Sequence, residues 1–203
     1  MDIIRSIPTL QEYHNFVDKS SFYGIQNGKN ILSNIFVALP AFYLIYREQK
    51  ISFLSINILL LAITSAYYHV NPSHNTIFMD MIFVISLNTI ILSYFVDTDI
   101  GFWMYIMGIV SVFYWKLYDN ILPYEFLKIM IPMYGLYSLY GTKVSNYIIP
   151  FLGLTILIRY SEYNDKKIYK ATNKLISGHS LKHILGGIDI YIVILVLQKL
   201  NKV

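Results

Sequence analysis

Five polar residues in an otherwise apolar chain have the types and spacing of a metal-dependent hydrolytic site. Ser65 and His69 are four residues apart, and Asp80 follows eleven residues after His69. A second pair, His179 and His183, lies in the segment GHSLKHILGG and is again spaced by four residues. On an α-helix this spacing places two side chains on one face, so both imidazoles can bind the same metal ion.

Together, the three histidines predict a zinc site of the catalytic type, with three protein ligands and a fourth position for water. Zinc in such a site activates the water and polarises a substrate carbonyl. Asp80 is the candidate general base, which takes a proton from the attacking water and returns it to the leaving group. Ser65 is the candidate donor of a hydrogen bond to the developing oxyanion. The predicted metal ligands are His69, His179 and His183.

The composition indicates that these residues are carried by elements that lie in a membrane. Of the 203 residues, 56% are hydrophobic and only 14% are charged, and the mean hydropathy is +0.50. Soluble domains carry about 25% charged residues. The net charge of +4 is better explained by basic loops beside a membrane than by a nucleic-acid partner. We therefore predict an integral, multi-pass membrane protein that does not bind nucleic acid.

Hydropathy predicts an all-α fold with seven transmembrane helices in a single domain that covers residues 1–203. Residues 1–29 form a polar N-terminal segment without the apolar core of a secretory signal. The absence of cysteine excludes a disulfide framework. The predicted spans are 30–46, 51–69, 76–96, 101–115, 124–140, 144–160 and 178–197.

The pattern of S-x3-H, an aspartate eleven residues later, and H-x3-H in the seventh helix resembles that of the alkaline ceramidase family. This family belongs to a superfamily of seven-span hydrolases that also includes the adiponectin and progestin receptors. Bacterial ceramidase-like members are the most similar, and the likeness extends over about residues 33–190. It rests on SAYYHVNP, SVFYW, DNILPY, the E-x2-D pair Glu162 and Asp165, and SGHSLKH, besides the matched residues Ser65, His69, Asp80, His179 and His183.

The resemblance implies a zinc-dependent amidase whose substrate is a membrane lipid: it cleaves the N-acyl bond of ceramide to a fatty acid and a sphingoid base. Some members also bind calcium near the N-terminus through several acidic residues. Here that region offers only Asp18, with Glu12 further upstream. Calcium needs about 6–8 oxygen ligands, so this departure argues against a calcium site. Asn30, Ser33 and Asn34 match the family's first helix and are interpreted as structural.

Two other functions are compatible with a polytopic chain. The first is a seven-helix receptor or lipid sensor with a structural zinc, but such proteins usually carry a larger soluble terminal region. The short polar segment before the first predicted span therefore favours the hydrolase. The second is a transporter or scaffold, for which the sequence offers no inverted repeat. Acyl-chain and head-group specificity, membrane orientation and oligomeric state are left open.

The remaining polar residues receive simpler interpretations. Glu125 and Lys128 are three residues apart and are predicted to pair with each other or with lipid headgroups. His14 and His74 are interpreted as residues of the membrane interface. Asp189 lies deep in the last predicted helix, where a charge requires a partner or neutralisation, and the sequence does not identify that partner.

Overall fold

The computed structural model describes residues 15–203, which form eight α-helices and one short antiparallel hairpin. Residues 1–14 of the polar N-terminal segment, among them Glu12 and His14, lie outside the described residues. In the hairpin, Ser21 pairs with Gln26 and Phe22 with Ile25. Its strands are β1 (Ser21–Phe22) and β2 (Ile25–Gln26), and the helices are α1 (Gly28–Glu48), α2 (Phe53–Val70), α3 (His74–Ser93), α4 (Thr98–Tyr118), α5 (Leu122–Ser138), α6 (Ile148–Tyr163), α7 (Asp165–Ala171) and α8 (Gly178–Lys199).

The helices confirm the predicted all-α fold, and each predicted span overlaps one of them. Five helices, α1 to α4 and α8, are long and apolar enough to cross a membrane. Helices α5 and α6 have only 17 and 16 residues, whereas a spanning helix usually needs about 20. Length and composition therefore support five of the seven predicted spans within the described part of the chain.

Short polar motifs fix where the helices that carry the candidate site begin. At the start of α3, the Ser73 hydroxyl accepts a hydrogen bond from the Thr76 backbone N–H at 3.2 Å, and the Thr76 hydroxyl accepts one from the Ser73 N–H at 3.1 Å. Helix α8 is capped by Ser177, whose hydroxyl accepts a hydrogen bond from the Ser180 N–H at 2.9 Å. These caps satisfy N–H groups that have no partner within the helix.

Helix α8 packs against three other helices, α1, α6 and α7. The close approach to α1 depends on Gly187, where a side-chain carbon would overlap the Phe36 carbonyl group. Gly178 has the same role at the start of α8, beside the Ser161 carbonyl oxygen and the Asp165 backbone. Small residues that let helix backbones approach closely are typical of membrane helix interfaces.

Two clusters of buried apolar side chains form the core between the helices. One is buried between α1, α2 and α8, around Leu44, Ile58 and Ile194. The other joins α3, α4 and α5 around Ile85 and Val112. The outer surface also carries large apolar side chains, which suits contact with lipid rather than with water. Examples are Ile35, Phe42, Phe102, Val110 and Phe126.

Candidate metal centre

The three histidines predicted as metal ligands meet in the structure. His69 lies in the last turn of α2, and His179 and His183 lie in the first turns of α8. The ring centroids are 4.8 Å apart for His69 and His179, 5.1 Å for His69 and His183, and 4.9 Å for His179 and His183. One nitrogen from each ring can be chosen so that all three lie within 4.8 Å of one another. The cluster is therefore close enough to hold a metal ion.

The orientation of His183 is set by a residue of another helix. Its Nδ1 lies 2.8 Å from the hydroxyl of Ser33 on α1, and that hydroxyl donates its only proton to the Asn30 carbonyl oxygen at 2.8 Å. With its proton directed to Asn30, the Ser33 hydroxyl can accept a hydrogen bond from His183 in the tautomer that carries the imidazole proton on Nδ1. The lone pair of Nε2 is left free, and a metal ligand needs such a lone pair.

His179 is placed through the backbone of the first turn of α8. The carboxylate of Asp165, at the start of α7, accepts a hydrogen bond from the His179 backbone N–H at 2.8 Å. An anion at a helix N-terminus is favourable because the unpaired N–H groups and the helix dipole point towards it. The amide oxygen of Asn30 also accepts hydrogen bonds from the hydroxyls of Ser177 and Ser180, at 3.0 and 2.6 Å. Helices α1, α7 and α8 are thus linked around the histidines.

His69 shows how well the centre fits a metal ion. Its side chain is fully buried, and neither ring nitrogen has a hydrogen-bond partner among the residues that the structure describes. A buried polar atom without a partner is costly, and such atoms are rare in folded proteins. A metal ion bound by His69 together with His179 and His183 would give one of these nitrogens its missing partner. The set of three imidazoles is one that zinc commonly uses.

Phe16 covers the histidine cluster from the N-terminal segment. Its ring lies edge-on to those of His69 and His179, with centroid distances of 4.6 and 5.2 Å, and it is buried. The segment is anchored nearby by Asp18, which is also buried. The Asp18 carboxylate accepts hydrogen bonds from backbone N–H groups of Ser20 at 3.0 Å and of Lys29 at 3.0 Å. Asp18 thus caps the first turn of α1.

The predicted catalytic residues, Ser65 and Asp80, also lie together. Ser65 is buried one turn before His69, and its side chain hydrogen-bonds the carboxylate of Asp80 on α3. The other oxygen of that carboxylate, Oδ1, is sealed from solvent and has no hydrogen-bond partner within residues 15–203. The Ser65–Asp80 pair therefore joins α2 to α3 and keeps one acceptor available.

Charged side chains of α5, α6 and α8 form ion pairs with one another, and the sequence indicated only part of this arrangement. The predicted Glu125–Lys128 pair is present, with 2.5 Å between Oε1 and Nζ. Arg159 joins the pair through Glu125, at 3.4 Å. On α8, Lys182 binds Glu162 at 3.1 Å. Lys182 lies three residues after His179, so the sequence could have placed it on the same face of the helix. No short sequence spacing connects Lys182 with Glu162.

Two other residues singled out in the sequence lie outside the histidine cluster. His74, interpreted as interfacial, packs its ring against that of Trp115, with the centroids 4.6 Å apart. Asp189, two turns beyond His183 on α8, has a buried Oδ1 without a hydrogen-bond partner among the described residues. Within residues 15–203 Asp189 forms no ion pair, and the sequence identified no partner for it either.

The site has to be interpreted from its own geometry. Comparisons of the chain with protein-family models, with curated proteins and with solved structures found no significant match. What the geometry provides is a cluster of three imidazoles able to hold a metal ion and, on neighbouring turns, a hydroxyl–carboxylate pair. Both lie in helices that are apolar enough for a membrane.

Proposed function

We propose that this protein is a zinc-dependent membrane hydrolase that cleaves the N-acyl bond of ceramide-type lipids to a fatty acid and a sphingoid base. The observation that carries the proposal is the convergence of three histidines from two helices, with the Ser65–Asp80 pair one turn away from the ligand His69. Metal ligands alone would serve a structural site equally well. A carboxylate with a free, buried oxygen, held by a serine one turn from a ligand, is what hydrolysis needs in addition.

The proposed zinc is held by His69, His179 and His183, with Ser33 keeping Nε2 of His183 free. When bound, zinc supplies a Lewis acid that polarises the amide carbonyl and lowers the pKa of a coordinated water to about 7. The imidazoles are neutral ligands, so the centre keeps the full positive charge of the ion. That charge favours a substrate oxygen that becomes negative during the reaction.

Asp80 and Ser65 have separate tasks in the proposed reaction. Oδ1 of Asp80 takes a proton as water adds to the amide carbon, and returns it to the nitrogen as the carbon–nitrogen bond breaks. The Ser65 hydroxyl turns from Asp80 to the carbonyl oxygen and donates a hydrogen bond to it as negative charge develops there. The products are a carboxylic acid and an amine, which for ceramide are the fatty acid and the sphingoid base.

A lipid substrate is supported by the surroundings of the site. Ser65 and Asp80 lie inside α2 and α3, two of the five helices apolar enough for a membrane, which favours a substrate that is itself held in the bilayer. We further propose that α5 and α6 also cross the membrane, which completes seven spans, because α5 packs against α3 and α4 and α6 packs against α8, all of them apolar enough to span. The resemblance of the motif residues to alkaline ceramidases supports an N-acyl sphingoid lipid within this class.

The decisive experiment offers the purified, zinc-loaded protein in detergent a panel of N-acyl lipids: ceramides of several chain lengths, N-acylethanolamines and N-acyl amino acids. Released fatty acid is measured by mass spectrometry. We expect release from at least the ceramides, and none from a His179→Ala, His183→Ala double variant. Protein that binds about one zinc per chain but releases no fatty acid from any lipid would instead favour a receptor or sensor with a structural zinc.

A further inference from the structure

The segment that precedes the first helix lies over the candidate metal centre, and we call residues 15–27 the N-terminal cover. Its Phe16 is only 5% exposed. The Phe16 ring lies edge-on to the rings of His69 and His179, with centroid distances of 4.6 and 5.2 Å, and 5.4 Å from the ring of Tyr68. An apolar group from outside the helices therefore contacts two of the three candidate ligands.

The cover lies on the side where the centre comes closest to the surface. His69 belongs to the last turn of α2 and His179 to the first turn of α8, so the cluster is at one end of both helices. His69 and His183 are buried, whereas His179 keeps part of its surface exposed. Because Phe16 packs on His179, its ring lies beside the least buried of the three ligands.

Hydrogen bonds hold the cover to two helices. The fully buried carboxylate of Asp18 accepts hydrogen bonds from the backbone N–H groups of Lys29 and Asn30, at 3.0 and 3.2 Å. The buried side-chain amide of Asn27 donates a hydrogen bond to the backbone carbonyl oxygen of His69, at 3.1 Å. The cover is thus fixed to the start of α1 and to the turn of α2 that carries a candidate ligand.

The cover is nevertheless less strongly built than the helices beneath it. Within residues 15–27 the regular structure is the hairpin, with two residues in each strand, and Phe16 lies outside it. A segment with so few regular backbone hydrogen bonds opens at a lower free-energy cost than a packed helix. A phenyl ring cannot bind a metal ion, and apolar groups around a metal site control the access of solvent. The Phe16 ring therefore shields the imidazoles only while the cover is in place.

We propose that the N-terminal cover is the gate through which the metal ion enters and leaves the centre, with Phe16 as the group that closes the gate and Asp18 as the residue that holds it shut. This proposal rests on the metal assignment of the proposed function but does not depend on lipid hydrolysis. An ion that enters or leaves beside His179 has to pass the Phe16 ring. Metal exchange therefore waits for the cover to open.

The first test measures how fast zinc leaves and enters the protein. Zinc-loaded protein in detergent is mixed with an excess of a zinc-binding dye, and the colour of the dye complex is followed with time. Phe16→Ala should release zinc at least about 10-fold faster than the wild type, and the metal-free variant should also take up zinc faster. The zinc Kd should change less than either rate, because a gate alters the path of exchange and not its end states.

The second test varies the concentration of the dye. In the wild type the release rate should not depend on it, because opening of the cover limits the rate. In Phe16→Ala the rate should rise with dye concentration, since the dye can then approach the bound ion.

Two further variants separate the gate from a general loss of packing. Phe151→Ala on α6 is the matched control, because Phe151 is 6% exposed and belongs to the apolar cluster around Leu44 and Ile194. It should lower the thermal unfolding midpoint and leave zinc release from the folded protein unchanged. Asp18→Asn keeps one oxygen that can accept a hydrogen bond. Its zinc release should therefore be faster than that of the wild type but slower than that of Phe16→Ala.

The outcomes distinguish a gate from the alternatives. Release at the wild-type rate in Phe16→Ala overturns the proposal. Faster release with unchanged uptake, and a Kd weakened by the same factor, also overturns it, because Phe16 would then stabilise the bound ligands instead of controlling access. Wild-type protein that binds no zinc rejects the gate together with the ligand assignment. Zinc exchange as expected in a protein that hydrolyses no lipid keeps the gate and rejects the proposed function. If Phe16→Ala does not accumulate, Phe16→Leu and Asp18→Asn are compared with the wild type by the same criteria.

Discussion

The two halves of α8 differ in what surrounds them, although both belong to one helix of 22 residues. The first half carries His179, Lys182 and His183, and its neighbours on other helices are hydrogen-bonding or charged groups. The second half carries Ile190 and Ile194 among its buried residues and packs against apolar side chains of α1 and α2. One end of the helix therefore carries two of the candidate metal ligands, and the other end provides much of the packing.

This division has a physical basis. Polar groups at helix termini find unpaired backbone N–H groups, loops and neighbouring caps, whereas the middle of an apolar helix offers them no partners. Asp165 and Ser177 make such terminal contacts at the start of α8. If the division is real, substitutions in the first half alter metal binding or turnover, and those in the second half alter only stability. The following experiments test that expectation.

The largest effect is expected when two ligands are removed together. The His179→Ala, His183→Ala variant should retain less than about a tenth of the zinc of the wild type, because a single imidazole cannot replace three. Lipid hydrolysis should fall to the background rate. Elemental analysis of protein purified without chelator measures the zinc, and His74→Ala, whose ring packs against Trp115, is the control that keeps it. Equal zinc content in the double variant and the wild type would contradict the assignment of the ligands.

Asp80→Asn should keep the zinc and lose about 10²- to 10⁴-fold in kcat, because the amide that replaces the carboxylate cannot accept a proton. Steady-state hydrolysis of a fluorescent ceramide measures the loss, with zinc content determined on the same preparation. Near-normal turnover would reduce Asp80 to a structural partner of Ser65.

Ser65→Ala should lower kcat by about 10²- to 10³-fold with zinc content unchanged, since it removes the proposed donor to the oxyanion. The matched control is Ser111→Ala on α4, because the Ser111 hydroxyl is also buried but donates only to the Gly108 carbonyl oxygen, at 2.6 Å. If both serines can be replaced without loss of turnover, Ser65 serves helix packing.

Ser33→Ala should weaken zinc binding about 10- to 100-fold, because His183 then loses the acceptor that holds its proton on Nδ1. Competition with a zinc-binding dye measures the affinity. Ser138→Ala on α5, where the hydroxyl donates to the Gly135 carbonyl oxygen, is the control and should leave the affinity unchanged. An unaltered affinity in Ser33→Ala would mean that packing alone orients His183.

The smallest effect on the site is expected from Ile194→Ala in the second half of α8. Ile194 is fully buried, so its truncation should lower the free energy of unfolding by about 2–5 kcal/mol. The zinc affinity of the folded protein should stay at the wild-type value. Thermal unfolding and the same dye competition measure the two quantities. A loss of zinc affinity as large as that of Ser33→Ala would end the distinction between the two halves.

The candidate site divides into residues that the sequence could identify and residues that it could not. The sequence could identify His179 and His183 as a pair because residues four apart lie on the same face of a helix. The sequence could also identify the Glu125–Lys128 pair, because residues three apart are neighbours on a helix surface. Ser33 was assigned only a structural part, because no local pattern joins it to His183, which lies 150 residues away. Phe16 and Arg159 were missed in the same way, and so was the pairing of Lys182 with Glu162.

By itself, the sequence determined the local properties of this protein: the apolar segments, the helices they form, the caps that start them and the helical face on which two histidines lie. These follow from backbone hydrogen bonding and side-chain periodicity within a few turns. Only the tertiary structure decided that α2 meets α8 at the histidines, that Ser33 faces His183 and that Lys182 of α8 pairs with Glu162 of α6. Such contacts depend on which helices pack together. The packing is determined by helix surfaces from distant parts of the chain, for example where α1 lies close to α8 at Gly187.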